Sequence, residues 1–218
     1  MQICRLVIIV LISFVSHAFA DQILENFEHG SFSWNTRHRM NGDHPEYFIT
    51  NEGDNHFLRA KTEPTLDGNI AAKKIAIDLE KTPYLSWRWR VWILPTRGHE
   101  GKSGFRDSGA AVYVYFKKGF FNYILKYVWS STAPKQAWLP VSKQFTWRTR
   151  TIVLESGGPL GEWQTENVNI ARDFHKSFGK APPRIATGIG LLSDSDQTKS
   201  VAKADYDDFI AADIEKKQ

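Results

Sequence analysis

Two short segments of the sequence carry arginine and tyrosine side chains at alternate positions. Arg88 and Arg90 lie two residues apart in an aromatic segment. Tyr113 and Tyr115 lie two residues apart in a valine-rich segment. In a β-strand, residues at this spacing point to the same face of the sheet. If the two strands are neighbours, the sequence predicts a ligand-binding face formed by Arg88, Arg90, Tyr113 and Tyr115, with Asp107 at its rim.

Such a face has the chemistry to bind a carbohydrate or a similar polar ligand. Aromatic rings pack against the C–H faces of sugars, and guanidinium groups donate paired hydrogen bonds to oxygen acceptors. An arginine on a covered sheet face without a partner would carry a large desolvation penalty. The alternative interpretation is therefore a face on which the arginines form salt bridges or are covered, together with the tyrosines, by loops.

Two aspartates flank a serine directly after a glycine-containing segment, at Asp194 and Asp196. Carboxylate oxygens suit Ca²⁺, which takes six to eight oxygen ligands, although the EF-hand spacing is absent. A second arrangement would place a structural Ca²⁺ between Glu25 or Glu28 and Asp213, and an ordinary polar turn is the third interpretation. A structural Ca²⁺ is the one cofactor for which the sequence offers ligands.

The sequence does not identify a catalytic residue. Asp107, Glu155, Glu162 and Glu166 could form the carboxylate pair of a glycosidase, but 24 acidic residues make chance pairs common. The nucleophile elbow of the α/β-hydrolases and the H-E-x-x-H zinc helix are both absent. A noncatalytic protein is therefore favoured over an enzyme.

The elements that must position these residues are mostly strands. Alternating apolar and aromatic patterns broken by Gly, Pro, Asn and Asp predict an all-β antiparallel sandwich of jelly-roll type with one short helix. The helix is predicted to follow a cap at Thr165 and to end at Gly179. A hairpin turn is predicted at Lys117-Lys118-Gly119. The predicted strands are 23–27, 47–51, 57–61, 70–79, 84–93, 110–116, 123–129, 146–154, 184–193 and 209–215.

The first twenty residues have the pattern of a secretory signal peptide. A basic Arg5 precedes an apolar run that ends at a small-residue cleavage site, Ala18-Phe19-Ala20. We expect the mature chain to begin at Asp21, to lie in the periplasm or the medium, and to form one domain over residues 21–218 without a membrane span. Cleavage would remove Cys4, the only cysteine, so no disulfide is expected.

The small positive charge of +4 is dispersed along the chain, so a nucleic-acid partner is not expected.

Five segments of the sequence carry a combined pattern, namely 85–91, 107–116, 127–131, 178–183 and 188–196. In these segments the chain resembles a family of bacterial exported proteins known as domain-of-unknown-function family 3047. The resemblance implies a sandwich of the kind used for carbohydrate binding. The acidic and aromatic residues near 24–34 and 205–213 give a second resemblance, to galactose-binding jelly rolls.

The residues and the resemblance together favour an exported, noncatalytic module that binds a glycan or a small polar ligand. Two other hypotheses stay open. A carbohydrate-active hydrolase or lyase would show two acids facing each other in a pocket. A cell-envelope assembly protein would show an exposed apolar patch.

Overall fold

The computed structural model describes residues 20–30, 34–36, 46–64 and 69–214. Its strands form where apolar and polar residues alternate, since one side of each strand can then pack on the core. The elements are β1 Gln22–Glu25, β2 Asn35–Thr36, β3 Glu46–Glu52, β4 Asn55–Lys61, β5 Ala71–Asp78, β6 Tyr84–Ile93, β7 Ala110–Lys118, β8 Phe121–Ser130, β9 Ser142–Gln144, β10 Trp147–Ser156, β11 Gln164–Asn169, α1 Ile170–Phe178, β12 Ile185–Leu192 and β13 Lys203–Ala212.

The strands make two sheets that pack face to face. Sheet A has the order β11-β6-β13-β4-β3, with β1 paired to the end of β13. Sheet B has the order β2-β5-β12-β7-β8-β10-β9. The predicted all-β sandwich with one short helix is confirmed. The last of the described strands, β13, lies between β6 and β4 in the middle of sheet A.

One pair of strands departs from the predicted antiparallel arrangement. β10 runs parallel to β8, from Trp147 beside Asn122 to Ser156 beside Ser130. After β8 ends, the chain runs back to the end of the sheet where β8 began. There the amide of Asn122, near the start of β8, donates to the carbonyl of Thr146, just before β10, at 2.9 Å. Because this return is made outside the β8–β10 ladder, β10 starts at the same end of the sheet as β8.

The core lies between the sheets and is rich in aromatic side chains. Trp87, Trp89 and Val91 of β6 are buried, as predicted from their shared face. The Trp87 ring lies edge-on to Trp89 at 5.4 Å and stacks on Phe209 at 6.3 Å. From sheet B, the predicted core residues Val112, Val114 and Phe116 are also buried.

The helix and two strands differ from their predicted bounds. Asn169, not Thr165, caps the helix, since its side chain accepts from the amide of Arg172 at 2.8 Å. Residues 164–169 instead form the edge strand β11, which pairs with β6. Gly179 ends the helix in the left-handed conformation, as predicted. β13 begins at Lys203, six residues before the predicted strand, and β9 was not predicted.

The predicted signal peptide falls on residues 1–20, and residues 1–19 of it lie outside the described part of the chain. The start of the mature chain at Asp21 and the domain bounds therefore stay predictions. Among the described residues, no helix is long and apolar enough to cross a membrane.

The buried Trp89 provides a test of this packing. We expect Trp89→Ala to lower the free energy of unfolding by roughly 3–5 kcal/mol, because a large core side chain leaves a cavity. Trp147→Ala is the matched control, since that ring is 42% exposed and its loss should cost little. Urea unfolding followed by circular dichroism measures both. Equal, small effects for the two variants would show that Trp89 is not a core residue.

Candidate functional site

Arg90 points away from the core on the outer face of sheet A, where it is paired on every side. Its Nε donates to Asp205 at 2.7 Å, and its two Nη atoms donate to Glu52 at 2.5 and 3.1 Å. The guanidinium carbon lies 4.5 Å from the ring centre of Trp163 and 4.6 Å from that of Trp92. Only 4% of Arg90 is exposed, so the group is enclosed by carboxylates and rings.

Arg88 is paired in the same way one position along the face. Its Nη2 donates to Asp207 at 2.6 Å and to Asn55 at 2.5 Å, and its Nε lies 2.9 Å from Asp208. The Arg88 guanidinium also lies 4.8 Å from the ring centre of Trp163. Both arginines therefore take part in a salt-bridge network, which is the alternative interpretation of the sequence pattern.

The prediction that Arg88, Arg90, Tyr113 and Tyr115 share one face is wrong. The side-chain parity within each strand was correct, but β6 belongs to sheet A and β7 to sheet B. The arginines and the tyrosines therefore lie on opposite outer faces of the sandwich. Asp107 is not at the rim of the arginines, since it precedes β7 of sheet B.

Tyr113 and Tyr115 lie together on the outer side of sheet B, where Tyr113 is buried in a second apolar cluster and Tyr115 is half-buried against that cluster. Their rings are parallel within 13°, with centres 6.3 Å apart. Gly190, on the neighbouring strand β12, leaves the space that Tyr115 occupies, because a Cβ at Gly190 would lie 2.7 Å from the tyrosine oxygen. The absence of a side chain at Gly190 thus allows the Tyr115 ring to lie close to the sheet.

A buried ion pair lies beside these rings. Lys126 of β8 donates to Glu100 at 2.6 Å, and its Nζ lies 5.4 Å from the centre of the Tyr113 ring. Burial opposes protonation of Lys126, but the charge of Glu100, the hydrogen bond to it and the neighbouring Tyr113 and Asp194 together raise the lysine pKa. Burial also raises the pKa of Tyr113. The lysine is therefore charged and the tyrosine is a neutral hydroxyl at physiological pH.

Three aspartates meet at the end of the same face. Asp107, Asp194 and Asp196 each offer an oxygen within 4.8 Å of the others, and we call them the aspartate cluster. Asp107 is buried and accepts from the amides of Gln197 at 3.3 Å and Thr198 at 2.7 Å. Burial and the charges of Asp196 and Asp107 raise the pKa of Asp194 to about 7. A cation bound among these oxygens would relieve that repulsion.

The other predicted Ca²⁺ ligands have different partners. The Glu25 carboxylate accepts from Lys73 at 2.8 Å, from the Trp34 indole at 3.0 Å and from the amide of Phe27 at 3.1 Å. Burial opposes ionisation of Glu25, but these donors lower its pKa overall. Glu28 pairs with His56 at 3.1 Å. Within the described residues, neither glutamate nor Asp213 joins a group of three potential metal ligands.

A separate polar pocket opens between the edges of the two sheets. It is bounded by β10 of sheet B, by β11 of sheet A and by the segment that follows β8. Glu166 accepts from the Trp89 indole at 3.1 Å, and Glu155 accepts from Lys135 at 2.6 Å. Burial and the nearby charge of Glu155 raise the pKa of Glu166 to about 7. The lining residues are Lys135, Gln136, Leu154, Glu155, Gln164, Thr165 and Glu166.

Sequence reasoning did not identify the Lys126–Glu100 pair or Lys135. The position of Lys126 in the sequence did indicate an ion pair, since a lysine in an otherwise apolar strand needs an acidic partner if its face of the sheet is covered. Glu100 and Lys135 lie in loops that connect strands. No local pattern indicates which side chain a loop residue will reach.

Solved structures with a similar chain path include carbohydrate-binding modules and glycoside hydrolases. The family 11 carbohydrate-binding module of the cellulosomal cellulase Lic26A-Cel5E of Clostridium thermocellum has 10% identity and a TM-score of 0.48, and the match covers 91% of this chain and 97% of that one. Endoglucanase cel12A from Rhodothermus marinus has 9% identity and a TM-score of 0.46, covering 91% and 100%. The xyloglucanase domain of NopAA, a type three effector from Sinorhizobium fredii, has 13% identity and a TM-score of 0.45, covering 82% and 97%.

These similarities concern the fold alone. A comparison with curated protein sequences finds no match. Residues 33–210 match the family model described as a protein of unknown function, DUF3047. Because this match takes in most of the chain, the protein belongs to the DUF3047 family.

Proposed function

We propose that this protein is an exported, noncatalytic module that binds a carbohydrate or a similar polar ligand on the outer face of sheet B. The observation that carries the proposal is the half-buried Tyr115 ring, which lies parallel to the buried Tyr113 ring beside the buried Lys126–Glu100 ion pair. The arginines of sheet A do not belong to this site, because they lie on the other sheet and form ion pairs with carboxylates of the protein.

The chemistry of this face suits a sugar. A ring lying along a sheet offers apolar contact to pyranose C–H groups, and tyrosine keeps a hydroxyl for hydrogen bonding. Polar groups placed around an aromatic surface fix ligand orientation, as is common in ligand sites.

Tyr115→Ala tests the ligand site directly. The chain beginning at Asp21 would be screened on a glycan array, and the strongest oligosaccharide would then be titrated by calorimetry. We expect Tyr115→Ala to weaken binding roughly tenfold or more, since one aromatic contact is lost. Tyr84→Ala is the matched control, because Tyr84 is also half-buried but belongs to sheet A. Unchanged affinity in Tyr115→Ala, or a wild type that binds no glycan, would contradict the proposal.

The aspartate cluster is proposed to bind a structural Ca²⁺ that supports the same face. Three carboxylates supply part of the shell, and backbone carbonyls or water would complete it. We expect millimolar CaCl₂ to raise the melting temperature of the wild type above its value in EDTA, because a ligand that binds the folded state stabilises it. Asp194→Asn should lose this increase. If the melting temperature of the wild type is the same in CaCl₂ and in EDTA, the Ca²⁺ proposal is wrong and the aspartate cluster is an ordinary polar turn.

A second candidate function is carbohydrate hydrolysis in the polar pocket. The favouring observation is the raised pKa of Glu166 beside Glu155, since glycosidases use one protonated and one ionised carboxyl group. In that case the wild type would release reducing sugar from β-glucans or xylans. Glu166→Gln would then reduce the rate by roughly a hundredfold or more while leaving binding intact. Absence of hydrolysis in the wild type would exclude this function for those substrates.

The same variant has an expected effect on stability. Because the pKa of Glu166 in the folded state is raised to about 7, its protonated form contributes stability that is full below the unfolded value and is lost as the pH rises through 7. Glutamine mimics the protonated acid and keeps the acceptor for Trp89. We therefore expect Glu166→Gln to be more stable than the wild type above pH 7, by up to roughly 3 kcal/mol, and equal to it near pH 4. Urea unfolding across this pH range measures the difference, and a constant difference at every pH would contradict it.

A further inference from the structure

Four aromatic side chains are exposed at one end of sheet B, and we call them the aromatic tip. Phe120 lies in the β7–β8 turn and Phe121 begins β8, while Phe145 lies in the β9–β10 turn and Trp147 begins β10. Phe120 is 93% exposed and Phe145 is 91% exposed, which leaves both rings almost entirely in water. Phe121 and Trp147 are exposed to 38% and 42%. Rings as exposed as those of Phe120 and Phe145 contribute little to the fold.

The two turns form one continuous surface. The amide of Asn122 donates to the carbonyl of Thr146 at 2.9 Å, and Trp147 pairs with Asn122 in the β8–β10 ladder. The guanidinium of Arg148 lies 4.5 Å from the centre of the Phe121 ring. The four aromatic residues therefore project from neighbouring turns at the same end of the sheet.

The backbone conformation at Phe145 is not one that favours phenylalanine. Its φ is +51°, in the left-handed region that glycine and asparagine adopt readily. A bulky residue at such a position is uncommon and costs conformational energy. Glycine would suit the turn better, so the phenylalanine side chain itself needs another explanation.

The segment of the chain that carries the aromatic tip has charges of one sign. Between Ser108 and Leu154 the sequence has seven lysines and arginines and no acidic residue. Lys117 and Lys118 are the last two residues of β7, next to one turn. Lys143 of β9 and Arg148 of β10 lie on either side of the other turn. In the described part of the chain, none of these four side chains lies within ion-pair distance of a carboxylate; Lys118 and Arg148 donate to backbone carbonyls instead. An anionic partner would complement this surface.

We propose that the aromatic tip docks the protein on an anionic phospholipid bilayer. Phenylalanine has no hydrogen-bonding group, so the two most exposed rings suit the boundary between headgroups and acyl chains. The surrounding lysines and arginine would then lie at the level of the lipid phosphates, where each basic side chain adds attraction. Rings that project from turn apices insert into a soft surface, whereas a sugar or a nucleic-acid base stacks on a flat platform. This inference is independent of the ligand site on sheet B.

Vesicle sedimentation tests the proposal. The chain beginning at Asp21 contains all described strands and the helix, and would be used throughout. We expect the wild type to sediment with vesicles of equal parts phosphatidylglycerol and phosphatidylcholine, and much less with phosphatidylcholine alone. Phe120→Ser combined with Phe145→Ser should weaken binding roughly tenfold or more, since exposed rings are removed without touching the core. Lys117→Gln combined with Lys143→Gln should weaken it by about the same factor.

Ile23→Ser combined with Leu160→Ser is the matched control. These two side chains are 66% and 48% exposed at other places on the molecule, and their removal should leave vesicle binding unchanged. Three results would overturn the proposal: no wild-type binding to the anionic vesicles, equal binding of the phenylalanine double variant, or equal wild-type binding to phosphatidylcholine alone. Heparin binding that survives in the phenylalanine double variant, without vesicle binding, would assign the basic surface to a soluble polyanion instead.

Discussion

The carboxylate of Asp205 is the interaction on which sheet A depends. It is fully buried, and it accepts from Arg59 on one neighbouring strand and from Arg90 on the other. The three residues lie in register across β4, β13 and β6. Because each arginine would otherwise be a covered charge without this partner, a shift in register would leave charged groups uncompensated. The pairing therefore favours one alignment of the three central strands, and that alignment directs Trp89 into the core.

This network explains why sheet A is a poor place for a ligand. Arg90 donates to Asp205 and Glu52, and Arg88 donates to Asp207 and Asn55, all within the same sheet. Trp163 lies against both guanidinium groups, and Trp92 lies against that of Arg90. On the outer side of sheet B, the Lys126–Glu100 pair lies next to the parallel tyrosine rings. The two outer sides therefore differ: ion pairs hold the strands of sheet A in register, whereas sheet B carries the half-buried Tyr115 ring beside the buried Tyr113 and Lys126.

The sequence allowed the faces of individual strands to be predicted, but not the neighbours of those strands. Alternation placed Trp87 and Trp89 in the core and Tyr113 with Tyr115 on one face, because parity is a local property. Whether β6 lies beside β7 is decided by distant parts of the chain, and here β6 pairs with β13. The edge strand β11 was mistaken for the start of the helix because Gln164–Asn169 is almost entirely polar. Its strand form comes from pairing with β6, which no local pattern shows.

The central position of β13 has a consequence for how the chain folds. Sheet B between β7 and β10 is built from consecutive segments, so most of it can pair as soon as those segments exist. Sheet A cannot, because its middle strand is synthesised after every other described strand. Until β13 arrives, β4 and β6 each have an unpaired edge, and Arg59 and Arg90 lack their shared carboxylate. The final strand therefore joins the two halves of sheet A, and a chain that stops before Lys203 leaves that sheet in two pieces.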